Sequence, residues 1–140
     1  MSLLINMDTK ENLIQKAIEI RPKAYTPYSN FWVGAALLSK DGEIFSGVNF
    51  ENASFGLTIC AERNAIGTMV SAGHREIKAL AVATENGVTP CGACRQVMVE
   101  FAQENYPVYI VNTTTGEVRE TTLNDLIPDA FDSSQLPSDK

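Results

Sequence analysis

The 140-residue sequence predicts a three-layer α/β domain, with a five-stranded mixed sheet carrying helices on both faces. Three observations carry that prediction. Helix-like and strand-like segments follow one another in the order α-β-β-α-β-α-β-β. Two of them, residues 77–84 (IKALAVAT) and 107–112 (PVYIVN), are short apolar runs that suit buried strands. No repeat, low-complexity linker or domain boundary interrupts the chain, and its length suffices for a real hydrophobic core. One domain spanning residues 1–140 follows, with 1–7 and 132–140 as flexible ends.

Taken in order, Asp8 followed by Glu11 reads as a capping box, and Leu13, Ile14, Ala17 and Ile18 then recur at helical spacing. Pro22 ends or bends that helix. Residues 25–30 form an ordered loop. Residues 32–38 make a mostly apolar strand, Lys40-Asp41-Gly42 turns the chain, and residues 44–49 return as an antiparallel partner. A second helix begins at Cys60 or immediately before it and runs through Ala65, Ile66 and Met69 to Gly73. After the strand at 77–84 and a loop at 85–90, Cys91 opens a third helix reaching about Glu104. The strand at 107–112 turns through Thr113-Thr-Thr-Gly116 into a last strand at 117–121. A short helix around 123–126 and a polar tail from Asp132 complete the chain.

Composition narrows the function. Eleven Lys and Arg against 17 Asp and Glu give a formal charge of −6, with no basic cluster. A polynucleotide would be repelled, because its binding depends on basic surface that releases counterions. A small, uncharged substrate fits better. No N-terminal stretch reads as a secretory signal, and no segment approaches the roughly 20 apolar residues needed to cross a bilayer. A soluble cytoplasmic protein is expected, where thiols stay reduced and a close cysteine pair binds metal or does redox chemistry. The sequons at Asn52 and Asn112 then carry no meaning.

The three cysteines are the most informative residues: Cys60-Ala61-Glu62, and later Pro90-Cys91-Gly92-Ala93-Cys94. Three thiolates fill three corners of a zinc tetrahedron and leave the fourth to water, the pattern of a catalytic rather than a structural site. With Glu62 beside the first thiolate, this is a known zinc nucleobase-deaminase signature in its three-cysteine form. Cys60 and Cys91 stand at predicted helix starts, where partial positive charge favours the thiolate. Residues i and i+2 of a helix point apart, so Cys60 and Glu62 meet only if Cys60 is a cap whose backbone is not yet helical. Zinc with three thiolates carries net negative charge, which a cation on the sulfurs would offset; Arg63 is the first candidate and Arg95 the second.

Other readings of these residues explain less. A Cys-Gly-Ala-Cys redox pair leaves Cys60-Ala61-Glu62 unexplained. A closed structural zinc needs a fourth ligand, and His74, the single histidine, lies about 20 Å away along the helix that Cys60 begins. It reads as an ordinary surface residue. Asn49 and Glu51, at alternate positions leaving a strand, either face a common polar object or simply make a strand-end turn.

Together these segments resemble the small cytidine deaminases of pyrimidine salvage, in particular the three-cysteine homotetrameric type. The likeness runs from about Leu13 to Phe131 and is carried by Tyr28-Ser-Asn-Phe-Trp-Val-Gly-Ala-Ala-Leu37, Val48-Asn-Phe-Glu-Asn-Ala53, Cys60-Ala-Glu-Arg-Asn-Ala65, Pro90-Cys-Gly-Ala-Cys-Arg-Gln96 and Leu126-Ile-Pro-Asp-Ala-Phe131. The resemblance implies one Zn²⁺ per chain on Cys60, Cys91 and Cys94, with Glu62 as proton shuttle and Arg63 neutralising the thiolates. It implies Asn49 and Glu51 on the ribose hydroxyls, Phe31 near the base, the Ala61 backbone against the base, and Phe131 reaching a neighbouring subunit's pocket. The implied reaction is deamination of cytidine and 2′-deoxycytidine to uridine and 2′-deoxyuridine. Phe55 stands where many relatives have tyrosine, Trp32 is bulkier than usual, and Pro22 interrupts a helix often continuous in relatives. Related deaminases of cytosine-containing antibiotics such as blasticidin S tend to lose the Asn-x-Glu pair, which is present here. A zinc-stabilised interaction module, the non-enzymatic alternative, predicts tight metal without ammonia release.

Overall fold

The computed structural model describes residues 5–137. The chain folds as α1 (Met7–Ile20), β1 (Gly34–Ser39), β2 (Ile44–Val48), α2 (Ala61–Ser71), β3 (Ile77–Thr84), α3 (Gly92–Glu100), β4 (Pro107–Asn112), β5 (Val118–Thr122) and α4 (Leu123–Leu126). The five strands form one sheet in the order β2-β1-β3-β4-β5. Only β3 and β4 run parallel, and α3 makes the crossover between them. The sheet is therefore mixed, as the segment order predicts.

Side chains alternate across the sheet with the strand period of two. In β3, Leu80 and Val82 face one side, while Ala79, Ala81 and Ala83 face the other; a register shift opposite Leu38 and Ser39 breaks the alternation and brings Ile77 to the first side. The first side packs against α2, α3 and α4 through Ile66, Met69, Met98 and Leu123. The second packs against Leu13 and Ala17 of α1. Small residues let helix and sheet come close on both faces. A Cβ at Gly34 would lie 2.2 Å from the Ala17 carbonyl oxygen, and one at Gly47 would lie 2.6 Å from the Ala65 nitrogen. Among the described residues no helix is long and apolar enough to cross a membrane.

Several boundaries depart from the sequence expectation, three of them because a polar group was needed elsewhere. Asn6, not Asp8, caps α1: its Oδ1 accepts from the Thr9 amide at 3.0 Å, and Asp8 sits in the first turn. β1 starts at Gly34 rather than 32, because the Trp32 carbonyl accepts from Arg21 Nε and the Val33 amide donates to Asn49 Oδ1. α3 stops at Glu100, well short of Glu104, since the Phe101 carbonyl accepts from the Ile77 amide at the start of β3. α2 ends at Ser71, and Gly73 follows with φ +96°. Beyond it, His74 is no idle surface residue: its two nitrogens lie 3.1 Å from Asp41 Oδ2 and 3.4 Å from Glu43 Oε1. It ties the α2 end to the β1–β2 turn. Of the expected flexible ends, residues 1–4 and 138–140 lie outside the described residues. Within them, Asp132 caps a 3-10 turn at Ser133–Gln135.

Candidate functional site

Past β2 the chain stays extended, and Phe50 bridges both Tyr25 and Ile59. That pairing delivers Ile59, and hence Cys60, to the sheet end where β3 leads into the loop before Cys91. Cys60 is the N-cap of α2 with extended backbone (φ −75°, ψ 155°), and Cys91 is the N-cap of α3 in the same way (φ −69°, ψ 169°). Neither side chain caps its own helix. Both are therefore free to turn toward Cys94, in the first turn of α3. The extended backbone at Cys60 also lets its sulfur and the Glu62 carboxyl serve one centre, although they are two residues apart.

The three sulfurs lie within 4.8 Å of one another, and all three cysteines are unpaired. Cys60 and Cys91 sulfurs are 3.9 Å apart. A tetrahedral zinc with Zn–S of about 2.3 Å sets its sulfurs about 3.8 Å apart. Three soft sulfur donors, one pair at that spacing and all within 4.8 Å, fit zinc. Among the described residues this is the one cluster of His, Cys, Asp or Glu able to hold a metal ion.

Charge at the cluster is arranged around Cys60. Its hydrogen bond with Cys94, together with the Arg63 guanidinium, holds the Cys60 thiol down to about 5 against burial. Cys94 is pushed up, chiefly by its hydrogen bond to Cys60 and by burial, so without metal Cys60 holds the charge and Cys94 the proton. Arg63 Nη2 donates to Cys60 Sγ at 3.3 Å, and these sulfur contacts strengthen its hold on its own proton. Glu62 is buried, 4% exposed, with Oε1 3.7 Å from Cys94 Sγ. Burial, followed by the negative charge on Cys60, raises its carboxyl to about 7.

A cavity of about 240 Å³ opens beside the cluster, lined among others by Phe31, Asn49, Cys60, Ala61, Glu62 and Cys91. Asn49 is 8% exposed and spans a backbone gap: Nδ2 donates to the Phe31 carbonyl at 2.9 Å, and Oδ1 accepts from the Val33 amide at 3.0 Å. Glu51 is not in this cavity. It faces an adjoining cleft with Tyr28, Ser29 and Phe55, joined to the first through Thr58, which lines both. Its carboxylate accepts from Ser29 Oγ at 2.5 Å and from the Tyr28 and Ser29 amides, and these bonds, the hydroxyl foremost, hold it below the usual carboxylate range. Phe131 lines neither cleft; it is 58% exposed, and its carbonyl accepts from Gln96 Nε2 at 2.7 Å. Arg95, the second candidate for the sulfurs, turns away from them toward the oxygens of Thr89, Pro90 and Leu126.

Sequence reasoning did not single out Thr58, Thr84, Val88 and Thr89, all of which line the main cavity. A signal existed for two of them. Threonine stands two residues ahead of both Cys60 and Cys91, so each extended approach to a sulfur carries one threonine to the cavity wall.

The sequence model described as "Cytidine and deoxycytidylate deaminase zinc-binding region" matches residues 7–110. A cytidine deaminase of Sporosarcina psychrophila is 50% identical over 128 residues, covering 90% of this chain and 93% of its own length. A cytidine deaminase of Halalkalibacterium halodurans is 48% identical over 129 residues, covering 91% and 97%. The crystal structure of cytidine deaminase from Burkholderia pseudomallei superposes with a TM-score of 0.81 at 50% identity, covering 86% of this chain and 98% of that one.

Proposed function

Since the chain belongs to the cytidine and deoxycytidylate deaminase family, we propose that it is a zinc-dependent hydrolase converting cytidine and 2′-deoxycytidine to uridine and 2′-deoxyuridine, with release of ammonia. One observation carries the reading: three sulfurs converge, and two of them, from Cys60 and Cys91, share with the buried Glu62 carboxyl the wall of a cavity of suitable size for a pyrimidine ring. Cys60, Cys91 and Cys94 hold the zinc, and Arg63 offsets the charge of the thiolates. Bound zinc supplies the Lewis acidity that makes water a nucleophile near neutral pH.

Glu62 moves the protons. As carboxylate it takes one from the water that adds to C4, and as carboxylic acid it gives that proton to ring N3. It then carries the proton of the new C4 hydroxyl to the exocyclic nitrogen. The C4–N bond breaks, ammonia leaves, and C4 becomes a carbonyl. Burial, which raises this carboxyl above the usual carboxylate range, suits a group that must both accept and donate a proton. The ring lies between Phe31 and the Ala61 backbone, and Thr58 marks the passage toward Glu51. A nucleoside spanning both clefts meets Asn49 on one side and Glu51 on the other, which favours a ribose-bearing substrate.

We also propose a homotetramer in which Phe131 completes a neighbour's site. Its exposure, and that of Tyr25, Tyr28, Phe55 and Leu57, supports burial between chains. Three unpaired thiols fit the reducing cytoplasm. The test is to incubate zinc-loaded protein with cytidine and with deoxycytidine while following ultraviolet absorbance and ammonia. Stoichiometric conversion, abolished by a chelator and restored by zinc, is expected. Tight zinc without ammonia from either nucleoside would overturn the reading.

A further inference from the structure

We propose that Arg95 is a positioning residue for the metal centre, locking Thr89 on the cavity wall and the adjoining Pro90, and with them the Cys91 corner of the sulfur triangle, to the end of α4. The inference rests on the reading of Cys60, Cys91 and Cys94 as zinc ligands. Arg95 follows Cys94 on α3, is half-buried, and forms none of the ion pairs found among the described residues. Its guanidinium instead makes three hydrogen bonds to neutral oxygens. Nε donates to the Pro90 carbonyl at 2.7 Å, Nη2 to the Thr89 hydroxyl at 2.7 Å, and Nη1 to the Leu126 carbonyl at 2.5 Å. Its backbone amide donates to the Cys91 carbonyl at 2.9 Å, so residues 89, 90 and 91 are all gripped from one residue.

The loop before Cys91 is anchored at both ends, and its Glu85 carbonyl also accepts from the Thr114 hydroxyl at 2.8 Å. At its start, Thr84 Oγ1 accepts from the amides of Gly87 and Val88. At its end, Pro90 has no amide to offer, and Arg95 supplies the bonds to Thr89 and Pro90. The spacing of the Cys91 and Cys94 sulfurs depends on the angle at which this extended segment enters α3, and Arg95 sets that angle. By accepting from Arg95, the Thr89 hydroxyl also keeps its own proton for a ligand in the cavity. The task calls for a planar fork with several donors, which a lysine ammonium cannot reproduce.

Zinc release from loaded protein to a chromophoric chelator, measured beside kcat and KM, tests the proposal in Arg95→Lys and Arg95→Met. Outer groups that orient metal ligands typically govern affinity or activity by about 10–100-fold, so release should quicken and kcat/KM fall by that order in both variants. Methylguanidinium should slow release again from Arg95→Met but leave wild type unchanged. Wild-type release and turnover in Arg95→Lys would overturn the proposal, because charge alone would then suffice. So would variants that melt earlier but release zinc at the wild-type rate. Should neither fold, Thr89→Val removes a single acceptor: release quickened severalfold supports the proposal, and wild-type release overturns it. The release measurement needs no substrate, so an absence of cytidine turnover by wild type would count against the functional reading alone.

Discussion

Glu62 is a carboxyl carried almost out of water at the start of α2, with the Cys94 sulfur 3.7 Å from its Oε1. Replacing it with Gln should leave zinc bound and lower kcat by about 10²–10⁴-fold, the usual worth of a positioned acid–base group. Zinc content and kcat of Glu62→Gln check this, and turnover near wild type would refute the role. The same burial fixes a pH dependence in the metal-free protein. Because the folded carboxyl titrates near 7 instead of 4.5, its contribution to stability is complete below about pH 4.5 and is lost as pH rises through 7. Cys60 acts in the opposite sense, its contribution being lost as pH falls through about 5. Gln does not titrate, so metal-free Glu62→Gln should gain on wild type as pH rises across 4.5–7, by about 3 kcal/mol at the upper end. Calorimetry in chelator reads the difference, and a gap that stays constant with pH contradicts it. At this scale the sequence shows the sulfur donors and Glu62, since identity and spacing nearly determine them. It does not show where long side chains swing. Arg63 and Arg95 both stand next to a ligand cysteine or its glutamate, yet one meets sulfur and the other carbonyls.

At the scale of elements, the cap argument from sequence anticipates the geometry of Cys60, because a helix leaves no other way for residues 60 and 62 to face one ion. The uninterrupted apolar runs gave β3 and β4 to the residue. Boundaries such as the end of α3 were not legible, because they depend on a carbonyl being required by a strand distant in sequence. Gly47 shows how tightly α2 seats: added methyl bulk meets Ala65 backbone at 2.6 Å. Gly47→Ala should destabilise the fold by about 1–3 kcal/mol and, by lifting α2 with Cys60, weaken zinc affinity. Gly34→Ala strikes α1 on the opposite face and should cost similar stability with a smaller effect on zinc. Denaturant midpoints and competitive zinc titration distinguish the two; equal zinc losses would sink the distinction.

At the scale of the whole molecule, charge pointed to a small substrate rather than a polynucleotide, and the layer order followed from the segment pattern. The division of Asn49 and Glu51 between two clefts was beyond sequence, because Thr58 arrives between them from a different loop. Assembly is the remaining test: sedimentation should give a four-chain mass, and Phe131→Ala should lower kcat/KM about tenfold with little change in monomer stability, since the ring is exposed within one chain. A fully active single chain would overturn the proposed tetramer. The unequal faces of the sheet carry a last consequence. Large side chains crowd the side bearing α2 and α3, whereas under α1 the central strands β1 and β3 contribute mostly alanines, with Leu38 from β1 and Tyr109 and Val111 from β4 beside them. Durability and chemistry thus draw on the same half of the protein, so an engineer seeking new specificity will find little slack beneath the sulfurs, and the freest ground for compensating changes on the solvent side of α1.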